Sequence, residues 1–260
     1  MVRIDGVALE VQRLSGSAGR PRATDPPATI VFLHEGLGSV AMWRDWPAQV
    51  CAATGRDGLV YSRRGYGHSD PVPDGPGAGR LAPDYMHREA LDVLPRLLST
   101  LRIERPVLLG HSDGGSIALL HASRHPVAAC IAMAPHVIVE DISITSITQA
   151  RQAYETGGLR DRLERYHAQV DGAFWQWNEI WLSPAFRAFD IRPDCRRIKA
   201  PVLAIQGLDD PYGTMRQIEE IAPTLGPFET EKLPACGHSP HRDQPHATTS
   251  RVTRFLAGKP

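Results

Sequence analysis

Five short apolar runs, at residues 28–33, 58–62, 106–109, 128–132 and 201–205, alternate with stretches long enough to form helices. Such runs suit strands covered on both faces, and strands alternating with helices feed a mostly parallel sheet. A further strand is expected at 228–233, and residues 2–4 and 7–14 read as an opening hairpin. Helices are expected at 41–53, 83–101, 113–125, 215–221 and 240–256, the third stopping at Pro126 because proline restricts the residue before it. Gly- and Pro-rich stretches at 15–27 and 70–83 read as surface loops.

Residues 135–192 interrupt this alternation with a helix-rich, strand-poor segment. Leu159, Leu163, Tyr166 and Val170 fall at helical spacing. Phe174, Trp175, Trp177, Trp181, Phe186 and Phe189 then concentrate six aromatic side chains in one short stretch. The expected organisation is a core of residues 1–134 and 193–260, roofed by an inserted helical segment at 135–192. The aromatic cluster can serve as a small core and also line a pocket, with Trp175, Trp177 and Trp181 as the candidate pocket residues.

The chain carries 29 Lys plus Arg and 29 Asp plus Glu in 260 residues, so no overall charge draws it to nucleic acid or to an anionic membrane. A small molecule is the expected partner. Cys51, Cys130, Cys195 and Cys236 are too scattered for a disulfide framework or a zinc knuckle, which fits a reducing cytoplasm. The first twenty residues hold no apolar run of signal-peptide length, and nowhere do eighteen uncharged apolar residues stand together; neither export nor membrane spanning is expected.

The sharpest motif is Gly110-His111-Ser112-Asp113-Gly114, placed between an apolar strand and a helix. The glycines two residues either side of the serine let a sharp turn bring backbones together, which aims the hydroxyl outward. Gly67-His68-Ser69-Asp70 repeats the tetrapeptide but runs into Pro71 and opens no helix, so Ser112 and not Ser69 is the candidate nucleophile. A serine hydroxyl needs an imidazole to take its proton and a carboxylate to hold that imidazole. Asp209 and Asp210 follow the strand at 201–205, where α/β sheets place functional loops. Ser239 as helix cap and Pro240 as first helical residue leave His238 in the loop before the last helix, making it the candidate base. The H-x-x-H pair of His238 and His241 with Asp243 offers only a thin metal pattern, and His34, His111, His121, His136 and His167 read as structural.

With this motif, the segments Ile30-Val31-Phe32-Leu33-His34-Glu35-Gly36-Leu37-Gly38-Ser39, Ser62-Arg63-Arg64-Gly65-Tyr66-Gly67-His68-Ser69, Gly207-Leu208-Asp209-Asp210 and Gly237-His238 place five landmarks in the order of the α/β-hydrolase superfamily, which the chain resembles over nearly its full length. Single-domain, lidded enzymes such as carboxylesterases, enol-lactonases and meta-cleavage-product hydrolases are the nearest in pattern. The resemblance implies an α/β-hydrolase fold, a mostly parallel sheet flanked by helices with a helical lid. It implies Asp210 over Asp209 as the acid, with Asp141 a distant alternative. It also implies an oxyanion hole from the backbone N–H groups of Gly36 and Asp113.

Two positions depart from the family pattern: Glu35 stands where a glycine usually follows the loop histidine, and Asp113 where an apolar or amide residue is commoner. A carboxylate aimed at a developing oxyanion would oppose catalysis, so the Asp113 side chain is expected to turn aside. Glu35 is a further candidate pocket residue. The activity implied is serine-dependent cleavage of an ester or similarly activated carbonyl through an acyl-serine intermediate, with no cofactor or metal. Alternatives are carbon-carbon bond hydrolysis of a dienoic ring-fission product and, outside catalysis, a small-ligand receptor on the same fold. A monomer or small homo-oligomer is expected.

Overall fold

The computed structural model describes residues 1–16, 27–73 and 81–259. Most of the loop expected at 15–27, and the centre of that at 70–83, lie outside the described residues. The described strands are β1 (Val2–Ile4), β2 (Val7–Leu9), β3 (Val11–Leu14), β4 (Ile30–Leu33), β5 (Gly58–Tyr61), β6 (Val107–His111), β7 (Ala129–Met133), β8 (Val202–Gly207) and β9 (Phe228–Leu233). One sheet runs β3-β5-β4-β6-β7-β8-β9 and is parallel throughout except for β3, which pairs antiparallel with β5. The central strands are buried along their whole length and mostly apolar because both faces are covered. Ile30 and Phe32 join the core that holds Val50 and Phe255, whereas Val31 and Leu33 join the one that holds Leu94 and Ile117.

The expected hairpin over 7–14 is corrected: the run splits at Glu10. Its N–H donates to Ser69 Oγ and its carbonyl accepts from the Ser62 N–H, so β2 pairs with β1 while β3 joins the main sheet. The helix expected at 41–53 opens as a short turn, Ala41–Trp43, and restarts as Trp46–Thr54 after Arg44 adopts φ +55°. The helix expected at 83–101 forms as Tyr85–Arg88 and Leu94–Thr100 around a wide π-type turn, Glu89–Val93. Pro95 has no N–H to donate, and widening the turn before it relieves the mismatch. The last helix is broken into Pro240–Asp243 and Pro245–Leu256, because Pro245 disfavours helical geometry at Gln244, whose φ is −134°. The helix expected at 215–221 shortens to Arg216–Glu219.

Between β7 and β8 the chain forms the helices Asp141–Thr156, Leu159–Glu164 and Val170–Trp181. The two ends of this segment meet: Ile138 bridges Asp190, and the Ile191 N–H donates to the Val137 carbonyl at 2.9 Å. Inside it, Phe174 stacks on Tyr154 with ring centroids 3.6 Å apart. His167 ties the segment to the sheet loops, accepting from the Gly67 N–H at Nδ1 and donating from Nε2 to the Leu37 carbonyl. No described helix is long and apolar enough to cross a membrane.

Candidate active site

The strand order reverses between β4 and β6, and α/β sheets bind ligands at the crevice that such a reversal opens. There β6 ends at His111 and the helix Asp113–Ala122 begins at once, leaving Ser112 as a one-residue corner at φ +53° and ψ −120°. A non-glycine residue held there stores about 1–3 kcal/mol of strain. Hydrogen bonds from Ser112 N–H to the Met133 carbonyl and from Gly115 N–H to the Ser112 carbonyl hold the corner. The flanking glycines are steric requirements. A Cβ on Gly110 would stand 2.0 Å from the Gly114 carbonyl oxygen, and one on Gly114 would stand 2.0 Å from that of Leu33.

Three side chains from distant parts of the chain form one hydrogen-bonded row. Ser112 Oγ lies 2.9 Å from His238 Nε2, and His238 Nδ1 lies 2.9 Å from both carboxylate oxygens of Asp210. With Nδ1–H donating to Asp210, the Nε2 lone pair faces the serine hydroxyl, which donates to it. Asp210 follows β8 and also accepts the Tyr212 N–H at 2.8 Å. Burial works to raise its pKa, but His238 and that N–H outweigh burial and hold the carboxyl below its ordinary value. His238 stands in the loop before Pro240–Asp243, and its carbonyl accepts from His111 Nε2 at 2.7 Å. Asp209 is exposed, and Asp141 lies at the surface, paired with Arg187 at 2.7 Å.

The loop after β4 is fastened by Arg63, whose guanidinium donates to the carbonyls of His34 at 2.5 Å and Glu35 at 3.0 Å. His34 accepts from the Arg63 N–H at Nε2 and donates from Nδ1 to the Glu35 carbonyl. Burial and the Arg63 charge push its pKa well below the ordinary imidazole value, consistent with the neutral ring that this bonding requires. Gly36 sits under the indole of Trp177, where a Cβ would come 2.1 Å from Nε1. Gly36 and Asp113 both line the cavity at Ser112.

Both unusual acids are tied back. Glu35 lines the cavity, with its carboxylate 3.1 Å from Arg242 and 3.5 Å from Nδ1 of His111. Burial opposes its ionisation, yet His111 and Arg242 hold it well below the usual carboxylate range. The wholly buried Asp113 carboxylate accepts from the Tyr85 hydroxyl at 2.5 Å and stands 3.9 Å from Arg63. Trp181 Nε1 donates in turn to the Tyr85 hydroxyl at 3.1 Å. Burial raises the Asp113 pKa, and the Arg63 charge and the Tyr85 hydroxyl offset only part of the rise.

The cavity holds about 200 Å³, below the roughly 300–1,000 Å³ of drug-sized sites. Trp177 and Trp181 line it; Trp175 does not. The pocket role expected of Trp175 is corrected: on the helix Val170–Trp181 it points to Tyr154 and lies under the Arg151 guanidinium, 5.0 Å from its ring centroid. His136, read from sequence as structural, lines the cavity, as does Tyr212, whose ring lies 4.7 Å from that of His238. Tyr212 sits two residues after Asp210, and only that adjacency could have marked it. Ser69 donates to the Ser62 carbonyl, and His241 packs tilted against both Trp43 and Trp46, while Asp243 accepts the Gly237 N–H.

A family model described as the alpha/beta hydrolase family matches residues 30–251. The chain belongs to the α/β-hydrolase family. Among curated relatives of this hydrolase, the sn-1-specific diacylglycerol lipase ABHD11 of Mus musculus is 26% identical, over 96% of this chain and 85% of the relative. A proline iminopeptidase of Levilactobacillus brevis is 23% identical, over 89% of each chain. Among solved structures, the enol-lactonase from Burkholderia xenovorans LB400 superposes with TM-score 0.72 at 23% identity, over 98% of both chains. A carboxylesterase of Nitrososphaera gargenis gives TM-score 0.73 at 20% identity, over 96% of this chain and 94% of that one. At these identities the structural likeness carries the fold alone.

Proposed function

We propose that this α/β-hydrolase is a serine esterase acting on a small molecule through an acyl-serine intermediate. The observation that carries this reading is the row from Ser112 through His238 to Asp210, ending at a small, partly aromatic cavity. Ser112 Oγ attacks the ester carbonyl carbon as its proton passes to His238 Nε2, and Asp210 steadies the imidazolium. The N–H groups of Gly36 and Asp113 hold the oxyanion, each donor contributing about 3–4 kcal/mol to the transition state. The tetrahedral adduct collapses, the alcohol leaves with the proton from His238, and a water activated by the same imidazole releases the acid. Segment 135–192 acts as the lid, with Trp177 and Trp181 as its inner wall, and the protein works in the cytoplasm.

A panel of nitrophenyl esters, lactones and dienoates, run beside Ser112→Ala, tests this. A nitrophenol burst and fluorophosphonate labelling, both lost in Ser112→Ala, are expected. Bleaching of a coloured dienolate without ester turnover would move the protein to carbon-carbon hydrolysis. Ligand binding without any turnover would make it a receptor.

A further inference from the structure

Two buried polar side chains line the cavity without a hydrogen-bond partner. Trp177 is 6% exposed, and its Nε1 edge lies against Gly36 beside Ser112. No described residue accepts from that N–H, which is not sealed off from solvent. His136 is 2% exposed and packs edge-on against Trp181, with ring centroids 4.8 Å apart. Its Nδ1 is sealed in the wall, which leaves Nε2 as the nitrogen open to the cavity. Burial and neighbouring His238 lower its pKa to about 3, so the ring is neutral at pH 7 and offers a hydrogen bond without charge.

A polar group stripped of partners costs about 1–3 kcal/mol, and a pocket built around one rejects ligands that leave it unpaired. Water can satisfy both groups in the resting cavity, but a hydrocarbon acyl chain that displaces it cannot. Resting on the esterase reading, we propose that Trp177 Nε1–H donates to an oxygen on the acyl part of the substrate and that His136 Nε2 serves the same group. The preferred substrates are esters of short oxygen-bearing acids, with an ether, hydroxyl or keto oxygen near the carbonyl, over those of their hydrocarbon isosteres.

The test compares p-nitrophenyl methoxyacetate with p-nitrophenyl butyrate, which differ by an oxygen in place of a methylene. The ratio of their kcat/KM values is divided by the ratio of their alkaline hydrolysis rates, which cancels intrinsic reactivity. The wild-type quotient is expected to exceed unity about three- to tenfold, the worth of one neutral hydrogen bond. Trp177→Phe, which keeps an aromatic ring and removes the N–H, is expected to lower it toward one. His136→Leu should lower it independently, and carries the test if Trp177→Phe does not fold. A wild-type quotient of one, or variants that slow both esters equally, would overturn the inference while leaving the esterase intact. Hydrolysis of neither ester above the Ser112→Ala background would instead overturn the esterase reading.

Discussion

His111 and His238 are joined through the main chain: Nε2 of His111 donates to the carbonyl of His238 at 2.7 Å, with the two rings 5.2 Å apart. The residue before the serine therefore anchors the loop that carries His238. His111→Phe removes the donor and strands a carbonyl beside the imidazole. We expect kcat to fall about tenfold, or ~1.4 kcal/mol, with KM within twofold. Steady-state kinetics with a nitrophenyl ester check this, and a loss under twofold would show that the loop holds itself.

The two adjacent acids should separate cleanly. Asp210→Asn retains the shape but cannot hold His238 in the productive tautomer, and a loss of about 10⁴ in kcat is expected from such a change. Asp209→Asn alters an exposed side chain and should stay within about threefold of wild type. The opposite ranking would reassign the acid.

Gly36 and Trp177 should behave as a coupled pair. Gly36→Ala drives a methyl into the indole and should cost about 1–3 kcal/mol of stability, as overpacking does. In a Trp177→Ala background the clash has no partner, so the added cost should vanish. A thermal-melt double-mutant cycle with no coupling between the two changes would contradict the close contact.

Acid stability carries the opposite signs of two carboxyls. Asp210 is held below its unfolded value near ~3.9, so it stabilises the fold above that value and the contribution is lost as pH falls through the folded pKa. Asp113 is raised by burial, so its contribution is full below the unfolded value and is lost as pH rises through the folded one. Asp210→Asn should flatten the fall in Tm below about pH 4. Asp113→Asn should gain on wild type as pH rises above about 4, and parallel curves would refute both shifts.

Trp175→Ala should leave the order of preferred esters unchanged, because its ring faces Tyr154 and Arg151 and not the cavity. Trp181→Ala should reorder them, since that indole lines the cavity and bonds Tyr85. A substrate panel run on both variants distinguishes the two.

The sheet was legible because parallel strands buried on both faces write themselves as apolar runs, and β4 to β8 lie within about a residue or two of their expected bounds. Ser112 and His238 were legible because a tight corner demands glycines and a helix cap fixes where a loop ends. The split at Glu10 was hidden, since it depends on Ser62 and Ser69, more than fifty residues away. The orientation of Trp175 was hidden for a related reason: aromatic spacing along a helix does not say which face meets the cavity. His136 reads in sequence as an ordinary core histidine because the ring it packs against beside the cavity, Trp181, is forty-five positions further on.

The bridge between Ile138 and Asp190 brings both ends of the excursion between them side by side. A shorter or differently shaped excursion could be grafted across that neck without changing the spacing of β7 and β8. The length and path of residues 139–189 are thereby uncoupled from the register of the strands on either side.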